Sequence, residues 1–216
     1  MRKKLFIFDL DGTLIDSRRD LATAVNLMRR HYGLEPLDVD VIATYVGNGM
    51  RMLVSRSLQG LDVNLDEAGK IQKSCYIQHL HDETTLYPGV REGLQALHRA
   101  GHLLAVATNK DTDACEQILA YFRLRNLFGS VIGGSSGDAL KPHPQMIVRT
   151  MKKLHMRPED TWMIGDHITD LKAAREAGVN SAFMTYGIGA LDGETPTRTF
   201  TTFETFALTF LDEPVP

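Results

Sequence analysis

Two aspartates, Asp9 and Asp11, stand two positions apart where the apolar run Leu5–Phe8 ends. In extended chain, residues two apart project to the same side. Gly12 follows, with no Cβ to hinder a turn. Two carboxylates at the mouth of a buried strand repel each other and lose solvation. A fold rarely tolerates that pair unless a cation or a phosphoryl group comes to sit there.

Three further short motifs carry polar chemistry: Ala107–Lys110, Lys141–Pro144 and Gly165–Asp170. Each falls at or just beyond the end of an expected strand. Together they add Asp166, Asp170, Thr108, Asn109 and Lys141 to the first pair. A hard cation such as Mg²⁺ takes oxygen ligands through a few carboxylates plus substrate phosphate. Asp9 and Asp166 are the candidate carboxylate ligands. Asp170, four residues on, is placed to ligate or to orient a bound water. Thr108 and Asn109 can donate to phosphoryl oxygens, and Lys141 is a compact cation that offsets negative charge. Each motif alone has an ordinary reading, as a helix cap, a loop lysine or a strand end. The functional reading rests on their joint order.

The elements that must position these residues alternate. Short apolar runs at Leu5–Phe8, Leu103–Ala107, Ser130–Ile132, Thr161–Ile164 and Ser181–Met184 read as strands. Helical patterns follow at Val90–Ala100, Asp111–Phe122, Pro142–Leu154 and Thr169–Ala177. The expected fold class is α/β: a doubly wound, mostly parallel sheet with a Rossmann-like core. In such sheets ligands bind beyond the carboxyl ends of the strands, so the four motifs open on one edge. Between about residues 17 and 84 the alternation stops. Four helices are expected there, at Leu21–Tyr32, Asp38–Tyr45, Met50–Gln59 and Asp66–Leu80. Residues 17–84 thus read as a helical cap inserted after the first strand, with 1–16 and 85–216 forming the catalytic core. Thr197–Leu211 is expected to give an edge strand and a closing helix.

Composition narrows the class. The chain has 216 residues, is 43% hydrophobic and carries a net charge of −3. No basic block suggests a nucleic-acid surface. No run of apolar residues is long enough to span a membrane, and MRKKLFIFDLDG is too short in its apolar part for a signal peptide. Cys75 and Cys115 read as free thiols, and a cytoplasmic location is the default expectation. A monomer and a homodimer are both compatible with the sequence.

The run LFIFDLDGTL, with the three later motifs in order, resembles the haloacid dehalogenase-like hydrolases, most of which are phosphatases. The resemblance implies that Asp9 is a nucleophile that becomes an aspartyl-phosphate, and that Asp11 is the general acid and base. It implies that Thr108 and Lys141 hold the phosphoryl group. Asp9, the Asp11 backbone carbonyl and Asp166 would bind Mg²⁺, with Asp170 behind them. The second acid, Asp11, argues against dehalogenation, because a halide leaves without a proton. Within the family, Thr44–Gly49, Asp16–Ser17, Ala107–Lys110 and Thr185–Gly187 are similar to the phosphoglycolate phosphatases. Gly47, Asn48 and Gly49 are then expected to touch a small anionic substrate, with Arg18 and Arg51 as further candidates. His167 departs from the pattern, which favours a smaller Ser or Asn there.

The expected activity is Mg²⁺-dependent hydrolysis of a small phosphorylated metabolite, 2-phosphoglycolate foremost. Pyrophosphate hydrolysis and a β-phosphoglucomutase-like transfer are the enzymatic alternatives. A receiver-like phospho-signalling module is the alternative outside enzymes. Receivers combine similar residues but are usually shorter, lack a helical insert and carry their phosphorylated Asp after a later strand.

Overall fold

The structure is a computed structural model, and it describes residues 3–211. Strand β1 (Leu5–Phe8) is apolar throughout and fully buried. It lies between β4 (Leu103–Ala107) and β6 (Thr161–Gly165), parallel to both. The sheet has six strands in the order β5–β4–β1–β6–β7–β8, all parallel, with β5 at Phe128–Ile132, β7 at Asn180–Met184 and β8 at Arg198–Phe200. Strands covered on both faces need apolar residues at successive positions, which is why β1 and β4 read as continuous apolar runs.

Alternate residues of β1 serve the two faces. Phe6 and Phe8 pack with α5 (Val90–Arg99) and α9 (Phe203–Leu211), through Leu94, Leu97, Phe206 and Phe210. Leu5 and Ile7 pack on the other face with α7 (Gln145–Leu154) and α8 (Ile168–Ala177), through Met146, Ile147, Ala173 and Ala174. Helix α6 (Thr112–Tyr121) joins β4 to β5. The chain winds outward from β1 in one direction through β4 and β5 and in the other through β6, β7 and β8. The crevice at the carboxyl end of β1 is therefore the switch point of the sheet.

Between β2 (Ile15–Asp16) and β3 (Thr85–Leu86) the chain forms four helices. They are α1 (Arg18–His31), α2 (Val39–Ala43), α3 (Met50–Ser57) and α4 (Leu65–Gln78). They share a small core of Met28, Val54, Leu58 and Ala68. Strands β2 and β3 pair antiparallel, so the chain leaves and re-enters the core through one two-stranded ribbon. Asp20 of α1 ties the two crossings together. Its buried carboxylate accepts the Glu83 and Thr84 N–H groups at 2.8–3.1 Å and the Thr84 hydroxyl at 2.7 Å.

Two expected helices fall short of their sequence patterns by three residues each. Beyond Ala43, residues 44–46 bond three positions back instead of four, a tightened end to α2. Helix α7 starts at Gln145 and not at Pro142, because Leu140–His143 closes a separate turn, His143 N–H to Leu140 O at 2.9 Å.

Candidate active site

The site is built first by the turn after β1. Asp9 continues the pairing with β6, its N–H donating to Ile164 O at 2.8 Å. The Leu10 carbonyl then accepts three N–H groups, from Thr13, Leu14 and Ile15, and the chain folds back sharply. Gly12 sits at φ +84°, and a Cβ there would stand 2.1 Å from Asp166 Oδ2. Only glycine gives both the left-handed backbone and the room for the neighbouring acid.

Asp9, Asp166 and Asp170 each offer an oxygen within 4.8 Å of the others, and all three are buried. Lys141 lies among them, its Nζ 2.6 Å from Asp170 Oδ1 and 3.0 Å from Asp9 Oδ1. Asp170 Oδ2 accepts the His167 N–H at 3.1 Å. Asp170 thus anchors Lys141 and the start of α8. Asp166 Oδ1 accepts the Thr13 hydroxyl at 2.8 Å, and Oδ2 accepts the Ile188 and Gly189 N–H groups at 2.9 and 3.0 Å. Asp9 Oδ1 differs: it is buried with no aligned hydrogen-bond donor, and its close contact is the Lys141 ammonium.

The electrostatics follow from this crowding. Burial, and then the Asp9 charge, push the Asp166 carboxyl up to about 6. Burial also raises the Asp170 carboxyl, with Asp9 and Asp166 adding to it against the pull of Lys141. Burial disfavours the Lys141 charge, but Asp170 and Asp9 outweigh it and hold the ammonium protonated. Fully ionised, three carboxylates against one ammonium leave two negative charges. An oxygen-only donor set with that residual charge and an unsatisfied Asp9 oxygen fits a hard divalent cation.

Asp11 faces the same crevice and is held from two sides. Ser17 Oγ donates to its Oδ1 at 2.5 Å, and Lys110 Nζ reaches both oxygens at 2.9 and 3.1 Å. Lys110 is itself held by Tyr76 of α4, whose hydroxyl is 2.5 Å away. Burial opposes the Lys110 charge, yet Asp11 and Tyr76 more than offset it. Burial pushes the Tyr76 phenol up to about 12, so it stays neutral.

Over these groups lies a cavity of about 70 Å³. Its floor is Asp9, Asp11, Thr108, Lys110 and Asp166; its roof is Leu21, Val46, Met50, Leu53 and Tyr76. Gly47 and Gly49 line it, whereas Asn48 between them does not. Gly47 is pressed against the His167 ring, and a Cβ on it would come within 2.9 Å. Arg18 and Arg51 lie elsewhere: Arg18 pairs with Asp16 at 2.7 Å, and Arg51 pairs with Asp66 on an exposed surface. The Asn109 side chain is spent on architecture. Its Nδ2 donates to Gly47 O and Lys141 O, each at 2.9 Å, and its Oδ1 accepts the Lys141 N–H at 2.8 Å. It clamps an insert loop and the Lys141 loop to the end of β4.

Lys110, Tyr76 and Thr13 escape a reading by residue type. Lys110 lies inside a motif noted for its order, and Thr13 inside another, but neither carries a sign of its partner. Tyr76 reads as one apolar position of an amphipathic helix, and only the packing of α4 over the sheet reveals its hydroxyl contact.

A model of the haloacid dehalogenase-like hydrolases matches residues 6–184. A phosphoglycolate phosphatase of Psychrobacter arcticus is 39% identical over 196 residues, 87% of this chain and 85% of that protein. One from Colwellia psychrerythraea is 41% identical over 193 residues, covering 86% and 85%. Among solved structures, one described as a predicted phosphoglycolate phosphatase from Haemophilus somnus superimposes with a TM-score of 0.92 at 30% identity, covering 97% of this chain and 99% of that one. The buried acids at the strand ends, the sheet order and these matches agree, and the chain belongs to the haloacid dehalogenase-like hydrolases.

Proposed function

We propose that this chain is a Mg²⁺-dependent phosphatase acting on 2-phosphoglycolate, with residues 17–84 serving as a cap over the catalytic core. The observation that carries the reading is Asp9: a buried carboxylate that lines the cavity and is backed by Lys141, whose Nζ lies 3.0 Å from its Oδ1. A carboxylate so placed can attack phosphorus, and the resemblance gives Asp9 that role. Asp11, two positions on and open to the same cavity, is placed to give a proton to the leaving oxygen and later to take one from water. Lys141 offsets charge on Asp9 and the phosphoryl oxygens, and Thr108 lines the floor beside them. Asp9, Asp166 and the Asp11 carbonyl would hold Mg²⁺, which when bound offsets the negative charge of phosphate and acids.

Size favours a small substrate. The cavity of about 70 Å³ is small. A hexose phosphate needs the insert to lift away, which counts against a mutase. Pyrophosphate fits by size, but the apolar roof of Leu21, Val46, Met50 and Leu53 offers little to a second phosphate. The early position of Asp9, after β1, and the family match remove the receiver-like alternative. No helix among the described residues is long and apolar enough to cross a membrane. Free Cys75 and Cys115 suit a reducing compartment, and cytoplasmic location is part of this reading.

The test is phosphate release from 2-phosphoglycolate, pyrophosphate and a panel of sugar phosphates, with Mg²⁺ and with chelator. The reading requires 2-phosphoglycolate to lead on kcat/KM and chelator to abolish turnover. Undiminished turnover without metal, or a sugar phosphate leading the panel, contradicts it.

A further inference from the structure

His167 stands at the rim of the cavity, one residue beyond Asp166, and its ring is fixed from two directions. Nδ1 accepts the Thr169 N–H at 3.2 Å and lies 3.0 Å from the Thr169 hydroxyl, so the ring caps α8. An imidazole that accepts at Nδ1 carries its proton on Nε2 when neutral. Among the described residues, Nε2 has no hydrogen-bond partner. The face of the ring lies against Gly47 of the insert: a Cβ on Gly47 would stand 2.9 Å from Cδ2 and 3.0 Å from both Cγ and Nε2. His167 and Gly47 line the same cavity as Asp9, Asp11 and Lys110. Gly47 therefore lacks a side chain to make room for this ring, and the Asn109 amide on its carbonyl holds it in place.

The arrangement leaves one oriented donor in the cavity wall that neither helix capping nor the acid cluster uses. We propose that His167 Nε2–H donates to the part of the substrate remote from the transferred phosphoryl group, the carboxylate of a short phosphorylated acid, and so sets selectivity for acids. This inference rests on the phosphoglycolate reading above. His167 binds substrate and takes no part in bond making or breaking.

Ethyl phosphate matches 2-phosphoglycolate in chain length and lacks the carboxylate, so the ratio of kcat/KM for the two isolates the contact. Asn in place of His167 keeps an acceptor to cap α8 but does not reach the Nε2 position. Gln places its amide N–H near that position. In H167N the preference for phosphoglycolate falls about tenfold, through KM, as loss of a hydrogen bond to a charged group requires. H167Q recovers part of the preference. Turnover of ethyl phosphate reports in the same samples that each variant is folded. A wild-type preference that H167N leaves intact overturns the inference and spares the phosphoglycolate reading. So does a fall in which both substrates weaken equally, because that marks a role in capping alone. A wild type that treats the two substrates alike overturns both.

Discussion

Asp166 shows at the scale of one residue how a buried acid cluster bears on stability. Its carboxylate is almost fully buried, and although it accepts three hydrogen bonds, its pKa stands near 6. Without metal, the folded protein keeps a proton on Asp166 that an ordinary aspartate in the unfolded chain gives up above about pH 4. Native stability from this group is therefore lost as pH rises from about 4 to 6. Asp166→Asn removes the penalty and keeps an amide oxygen for the Ile188 and Gly189 N–H groups. In chelator at pH 7 the variant should unfold later than wild type, by roughly 2–3 kcal/mol from a shift near two units, and should show no turnover. Urea titrations across pH 4–7 check this. A variant less stable than wild type at pH 7 contradicts it. Asp9 and Asp11 were legible as a pair because period-two spacing after an apolar strand is a local signal. The side-chain contacts of Asn109 are not legible, because its partners, Gly47 and Lys141, lie in distant loops and no local pattern reveals that its amide is already occupied.

At the scale of elements, the strands and helices of the sheet follow from alternating apolar runs and caps, and their order falls where the sequence places it. The β2–β3 ribbon has no such signature, since two residues a side are too few for a period. Its security comes instead from Asp20, whose acceptors hold Glu83 and Thr84 across 63 and 64 positions of chain. Asp20→Ala strands two N–H groups and a hydroxyl beside a packed helix. The expected loss is roughly 3 kcal/mol of unfolding free energy, several net hydrogen bonds including charge-assisted ones. Equilibrium unfolding in urea measures it, and a loss under about 0.5 kcal/mol, the scale of an ordinary surface substitution, shows that the two crossings are held by other contacts.

At the scale of the molecule, insert and core meet through polar contacts as well as packing. Lys73 of α4 reaches Asp111 at 2.8 Å and Asp113 at 3.3 Å, Tyr76 meets Lys110, and Gly47 accepts from Asn109. The cavity they roof is walled by acids that repel each other. If Mg²⁺ binds as proposed, it competes with protons for the acid cluster, and its stabilising effect grows with pH. Melting temperature should rise on adding Mg²⁺ at pH 7 and rise much less at pH 5. An equal rise at both values contradicts a site built on Asp166 and its neighbours.

The central claim is that Asp9 carries the phosphoryl group. On the proposed reading Asp11 serves the leaving oxygen as well as the attacking water, so the adduct is best trapped with Asp11 intact. Mix the wild-type protein with 2-phosphoglycolate and Mg²⁺, quench in acid within one turnover, and read the protein by mass spectrometry. One added phosphoryl group is expected on the peptide containing Asp9, absent when Asp9 is changed to Asn. No adduct at Asp9, together with undiminished hydrolysis by Asp9→Asn alone, would contradict it.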